Sequence, residues 1–135
     1  MTQDDIIAAA RACLGTPFRH QGRIPGSALD CAGLVVAVAE AIGADYIDQV
    51  GYGRVPSENR LALALEGQPC LARVASCLPG DVLLLSFGGE PQHLAISAGP
   101  TLIHAWETLG RVCEHDLDAR WRSRVVQIYR FEGLA

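Results

Sequence analysis

The chain has 135 residues, half of them hydrophobic and 19% charged, with a formal net charge of −4. That is enough for one domain spanning 1–135 with a hydrophobic core of its own, and it excludes wholesale disorder. The acidic balance and the lack of a basic run argue against nucleic acid as a partner, and no apolar run reaches the ~20 residues of a membrane span.

Five cysteines (Cys13, Cys31, Cys70, Cys77 and Cys113) form no CxxC pair. Free thiols in a reducing compartment fit them better than a disulfide framework or a zinc site. The acidic start, Met1 to Asp5, carries no secretory signal, so synthesis in the cytoplasm is expected.

Thr2 can cap a first helix, with Asp5 completing a variant of the capping box. Ile6, Ile7, Ala9, Ala10, Cys13 and Leu14 then supply its apolar stripe, and Gly15 ends it. Residues Thr16 to Leu29 contain Pro17, Gly22, Pro25 and Gly26 and read as an irregular loop. Asp30 is a good N-cap for the apolar helix Cys31–Ile42, which Gly43 stops. Tyr46 to Asn59 is rich in turn residues. Leu61 to Leu65 predicts a short helix that could extend to Arg73 or Val74. Leu78-Pro79-Gly80-Asp81 is a turn into a run of strands: Val82–Phe87, His93–Ser97, Thr101–Ala105, Arg111–His115 and Arg124–Phe131. Helices first and an antiparallel sheet afterwards is an α+β layout. Arg120, Arg122, Arg124 and Arg130 read as a solvated face of a strand or turn.

Cys31 is the chemical centre of this reading. In the first turn of a helix its thiol feels unpaired amides and the positive end of the macrodipole, which favour thiolate. A nucleophilic cysteine needs a base, and the base needs a third group to hold its ring. His93 begins one strand and His104 ends the next. A two-residue loop at Ala98-Gly99 would place them directly opposite; one at Gly99-Pro100 would shift the partner by two but keep both on one face, within imidazole reach. A three-residue loop would separate them. His93 would act as base and His104 would fix its tautomer. The oxyanion would be held by the Cys31 N–H and a neighbouring donor, and Gly33 would let another segment approach the helix start. His20 reads as a loop histidine that can line the cleft, and Glu107 as a surface carboxylate. Cys113 and His115 could share a metal, but two further ligands are not evident; no metal or cofactor is expected.

These residues resemble a known family. Gly15-Thr16-Pro17-Phe18-Arg19-His20, then Asp30-Cys31-Ala32-Gly33-Leu34, are similar to the motif of the NlpC family of bacterial and phage cell-wall cysteine peptidases. Pro79-Gly80-Asp81-Val82, His93-Leu94-Ala95-Ile96 and Ile103-His104-Ala105 resemble its later blocks, in the same order. Gly51-Tyr52-Gly53-Arg54-Val55-Pro56 and Glu114-His115-Asp116-Leu117 look like compact members from phage tails and gene-transfer agents.

The resemblance implies a papain-like fold, with N-terminal helices packed on a C-terminal antiparallel sheet. It implies Cys31 as nucleophile, His93 as base and His104 as the third polar residue, with Phe18, His20, Asp30, Ala32 and Gly33 around the substrate. The substrate class would be a peptidoglycan stem peptide, with D-γ-glutamyl-diaminopimelate one such bond. Phage tail proteins are implied as partners, and such a chain would reach the wall as part of a virion. Phe18 stands where the family commonly has Tyr, and Ala32 where it has Ser. Those two losses motivate the alternative of a structural tail component with a vestigial site. A membrane-directed acyltransferase would be expected to show a membrane-binding patch or anchor.

Overall fold

Thr2 opens the first helix as its sequence predicts. In the computed structural model, which describes residues 1–49, 51–53 and 60–134, Thr2 Oγ1 accepts the Asp5 N–H at 3.2 Å. The Asp5 carboxylate accepts the Thr2 N–H at 2.8 Å. Helix α1 runs Gln3–Arg11 and buries Ile6, Ile7 and Ala10. The following stretch is less irregular than expected: it holds a two-residue hairpin, β1 (Arg23–Ile24) and β2 (Ala28–Leu29). Helix α2 spans Cys31–Ala41, capped by Asp30, and packs on α1.

Helix α3 is short, Arg60–Glu66, and does not extend to Arg73 or Val74. Gly67 follows it, and Leu71–Val74 forms strand β3, paired with the chain's last strand. Four residues on an edge strand, with only Leu71 buried, gave too little apolar signal to separate this strand from a helix. Gly51-Tyr52-Gly53 have no regular structure, and the remainder of that block, Arg54-Val55-Pro56, lies outside the described residues.

The turn at Leu78 to Asp81 forms as predicted, with the Asp81 N–H bonded to Leu78 O at 3.1 Å. It leads into β4 (Val82–Leu85), β5 (His93–Ser97), β6 (Thr101–Trp106), β7 (Arg111–Asp116) and, after the one-turn helix α4 (Ala119–Arg122), β8 (Val125–Phe131). The sheet order is β3-β8-β4-β5-β6-β7, and every pairing is antiparallel. The fold is α+β and papain-like: helices precede and pack on an antiparallel sheet.

Both faces of the central strands are covered, which is why β4 is a continuous apolar run rather than an alternating one. Val82, Leu84, Leu94, Ile96 and Ile103 lie under α1 and α2. Leu83, Leu85, Ala95 and Leu102 lie under Leu117 and Trp121. Helix α4 was not foreseen: its four residues fall within the arginine-rich segment, where only the Asp118 cap signalled a helix. The arginines there are not one solvated face. Arg124 stacks on Trp121 and Phe87, and Arg130 forms a two-point ion pair with buried Asp81; Arg120 and Arg122 are exposed.

The β5–β6 hairpin turns at Gly99-Pro100, with the Ala98 N–H bonded to Thr101 O at 2.8 Å. Gly99 has φ +93°, which suits the first central position of a tight hairpin turn. Ile96 therefore pairs with Ile103, and His93 and His104 share a face as diagonal rather than directly opposed neighbours.

Gly33 plays the part predicted for it. A Cβ there would overlap the carbonyl oxygen of Gly22, so the loop lies directly against the helix start. Gly33→Ala should cost about 1–3 kcal/mol or more, as overpacking of a close contact does. Chemical denaturation measures it; an unchanged midpoint would show that the loop gives way freely.

Candidate active site

Asp30 organises the mouth of α2. Its carboxylate, only 4% exposed, accepts the Gly33 N–H at 2.8 Å, the Gln21 N–H at 2.8 Å and Arg23 at 2.9 Å. The Tyr52 hydroxyl donates to the same group. Asp30 thus caps the helix and ties two other chain segments to it, the loop at Gln21 to Arg23 and the one at Tyr52. Arg23 also binds Asp48 at 3.0 Å. His20 Nε2 donates to Tyr52 O at 3.1 Å, and the two rings meet edge to face. Phe18 brings no hydroxyl, but the phenol of Tyr52 reaches the site from another part of the chain.

Beside this scaffold lies a cleft of about 450 Å³, lined by Phe18, His20, Asp30, Cys31, Ala32 and His93, among others. Five of these are sites named from sequence as nucleophile or substrate contacts, and His93 is the expected base. Gly33 does not line the cleft; it is buried against the loop. Nor does His104, which lies behind His93 and is fully buried. Glu107 does line the cleft rather than lying away from it.

The thiol of Cys31 is directed at backbone amides of Ala32 and Leu94, both of which stabilise its anion. Leu94 adjoins His93, so the sulfur sits at the beginning of β5. Burial nevertheless dominates, with the neighbouring Asp30 carboxylate acting in the same direction, and pushes the thiol up to about 12. That rise corresponds to roughly 4 kcal/mol, against about 0.3–2 kcal/mol for a helix terminus. The expected preference for thiolate is therefore reversed in the resting protein. Burial also lowers His93 to about 4. His104 is lowered further, first by burial and then by its histidine neighbours. The resting pair is a neutral thiol and a neutral imidazole.

His93 and His104 are joined, Nε2 to Nδ1, at 2.6 Å. The chain of rings continues further than the sequence reading anticipated. His104 Nε2 meets His115 Nε2 at 2.8 Å, and His115 Nδ1 meets the backbone oxygen of Asp116 at 3.1 Å. The same register arithmetic finds His115: β6 and β7 pair His104 with Cys113, placing His115 two residues along on the same face. His115 was considered only as a metal ligand with Cys113, so this partner was missed. Trp106 stacks on His104 at 5.4 Å, and Trp121 packs edge-on against His104 and at a tilt against His115.

The far end of this chain sets every proton in it. A carbonyl oxygen only accepts, so His115 Nδ1 carries hydrogen, and in the neutral ring its Nε2 is bare. His104 must then donate from Nε2 and accept at Nδ1, and His93 must donate from Nε2. In the neutral chain the remaining lone pair is on His93 Nδ1. Imidazole nitrogen spectra should show His93 and His104 as Nε2–H tautomers and His115 as Nδ1–H near neutral pH. His115→Leu should leave His104 and His93 as tautomer mixtures, and His115→Gln, which can still accept, should restore them. A His93 resonance indifferent to His115 would break this reasoning.

No family model matches the sequence, and no curated protein matches it. Solved structures do. The NlpC/p60 domain of the peptidoglycan hydrolase SagA aligns with 96% of this chain and 98% of its own, at 23% identity and a TM-score of 0.65. An NlpC/p60 family protein from Bacillus cereus is 17% identical with a TM-score of 0.67; the alignment covers 97% of this chain and only 40% of that longer one. The peptidoglycan hydrolase RipB from Mycobacterium tuberculosis is also 17% identical, with a TM-score of 0.63 over 95% of this chain and 63% of that one. The chain has the fold of NlpC/p60 domains.

Proposed function

We propose that this chain is an NlpC/p60-type cysteine hydrolase that cleaves an amide bond in peptidoglycan stem peptides. The observation that supports it most is a helix-start cysteine lining one cleft with a histidine whose free lone pair is set by a buried chain of rings. The fold neighbours add the substrate class, since two of them are described as peptidoglycan hydrolases.

Starting from a neutral pair, His93 Nδ1 takes the thiol proton as Cys31 Sγ attacks the carbonyl carbon. Proton transfer accompanies bond formation instead of preceding it, because burial disfavours a standing ion pair. The tetrahedral oxyanion lies at the start of α2, where the Cys31 N–H lacks an intrahelical acceptor. The protonated His93 then gives its proton to the departing amine, leaving a thioester on Cys31. Water, deprotonated by His93, releases the acyl group and restores the thiol. His104 keeps the base in the productive tautomer throughout, and His115 holds His104. Phe18, His20 and Ala32 border the cleft in which the peptide would lie, and the D-γ-glutamyl bond is the first to try.

Digestion of purified peptidoglycan, with released muropeptides identified by mass, is the test. Cys31→Ala should abolish release, and His93→Ala should lower kcat by about 10²–10⁴. Full activity in Cys31→Ala would remove the mechanism. A wild-type protein inert on every stem peptide would favour the non-catalytic tail component, the reading that Phe18 and Ala32 motivate. In an active enzyme the base must be neutral, and His93 stays neutral until pH falls to about 4. The acid limb of kcat/KM should accordingly lie near that value, well below that of an ordinary histidine; a limb near 6.5 would contradict the buried, neutral base.

A further inference from the structure

We propose that the rear of the histidine chain is a site for a borderline-soft divalent cation of the Zn²⁺ class, held by His104, Cys113 and His115, and that filling it disables His93 as a base. The binding part stands without the hydrolase reading; the consequence for catalysis rests on it.

The sheet supplies the third ligand that the sequence lacked. Cys113 lies directly across from His104 on β6 and β7, with His115 two residues further along the same face. One ring nitrogen of His104, one of His115 and the Cys113 Sγ all lie within 4.8 Å of one another, and the two Nε2 atoms meet at 2.8 Å. Two imidazoles and a thiolate are a donor set that favours zinc over magnesium or calcium. Around a tetrahedral ion with bonds of about 2.0–2.1 Å, two nitrogens stand roughly 3.3 Å apart. The two histidines, now 2.8 Å apart, need to separate by only about half an ångström, while the thiol swings inward. His104 is buried, but Cys113 and His115 are half-exposed on the outermost strand of the sheet. An ion can therefore enter from that side, with water as its fourth ligand. His115 already donates its other ring nitrogen to Asp116 O, the outer-shell bond typical of a metal-bound imidazole.

Coordination and the resting proton pattern exclude each other. The ion takes the lone pairs of both Nε2 atoms and the thiolate of Cys113, whose proton leaves to solvent. His115 keeps its proton on Nδ1. The His104 proton must move from Nε2 to Nδ1, where it faces His93 Nε2. The His93 proton then moves from Nε2 to Nδ1. No imidazole gains or loses a proton in total, yet the lone pair on His93 Nδ1, the proposed acceptor of the thiol proton, is gone.

Cobalt(II) titrated into the Cys31→Ala protein tests the site without needing turnover. A sulfur-to-metal band should appear at one equivalent and disappear when Cys113→Ser is added. His115→Gln serves as a second variant should that one fold poorly, and should weaken binding at least tenfold, since even outer partners of a metal contribute about 10–100-fold. No band, or one indifferent to both substitutions, would overturn the site.

Zinc should also convert His93 from the Nε2–H to the Nδ1–H tautomer in imidazole nitrogen spectra. A site that binds while His93 keeps its proton on Nε2 would overturn the switching claim alone. If the hydrolase reading holds, zinc should inhibit the wild type but Cys113→Ser, equally active without metal, at least tenfold less. Equal inhibition would place the inhibiting ion elsewhere. Loss of all hydrolysis without metal speaks against the hydrolase reading and leaves the cobalt result standing.

Discussion

A backbone carbonyl at Asp116 anchors a chain of three imidazoles whose last ring lines the same cleft as a cysteine on another element. Because that oxygen can only accept, it orders the protons of His115, His104 and His93 in turn. The outcome is a lone pair on His93 Nδ1. Three adjacent strands each contribute one ring, and each ring meets the next as a diagonal neighbour on one face. Trp106 and Trp121 pack against His104, and in that apolar setting the buried His93–His104 bond is costly to leave unmade. Burial holds His93 and His104 neutral, and the two hairpin registers hold the three rings in line.

The other half of the site is built by Asp30. Its buried carboxylate gathers the Gln21 amide, Arg23, Tyr52 and the Gly33 amide. Removing a charged member of such a buried set costs about 3–5 kcal/mol, so the mouth of α2 is fixed rather than adaptable. Gly33 completes the arrangement by admitting the Gly22 carbonyl where a side chain would collide. Cys31 lines the cleft but is only partly exposed. Between two opposing effects on the thiol, helix terminus and burial, burial is the larger.

Much of this was legible in the residues. The Thr2–Asp5 box, the Asp30 cap, the turn before β4 and the shared face of His93 and His104 all follow from local rules whose partners lie a few residues apart or across a tight turn. The hairpin left two registers open because Ala98-Gly99 and Gly99-Pro100 are both good turns; the bond from the Ala98 N–H to Thr101 O marks the second. What the residues did not disclose depends on long-range pairing. Strand β3 exists because β8 offers it an edge, and Tyr52 reaches Asp30 across a loop with no periodic signal. Helix termini favour thiolate in general, but how deeply Cys31 lies is a property of the folded packing. His115 was accessible to the same arithmetic as His104, applied to the next hairpin.

Rapid acid quenching during turnover of a stem-peptide substrate, followed by mass mapping of the protein, tests the central claim most directly. The account predicts a thioester-linked acyl group on the peptide that contains Cys31. Released product with no adduct on Cys31, or an adduct confined to another of the five cysteines, would contradict it.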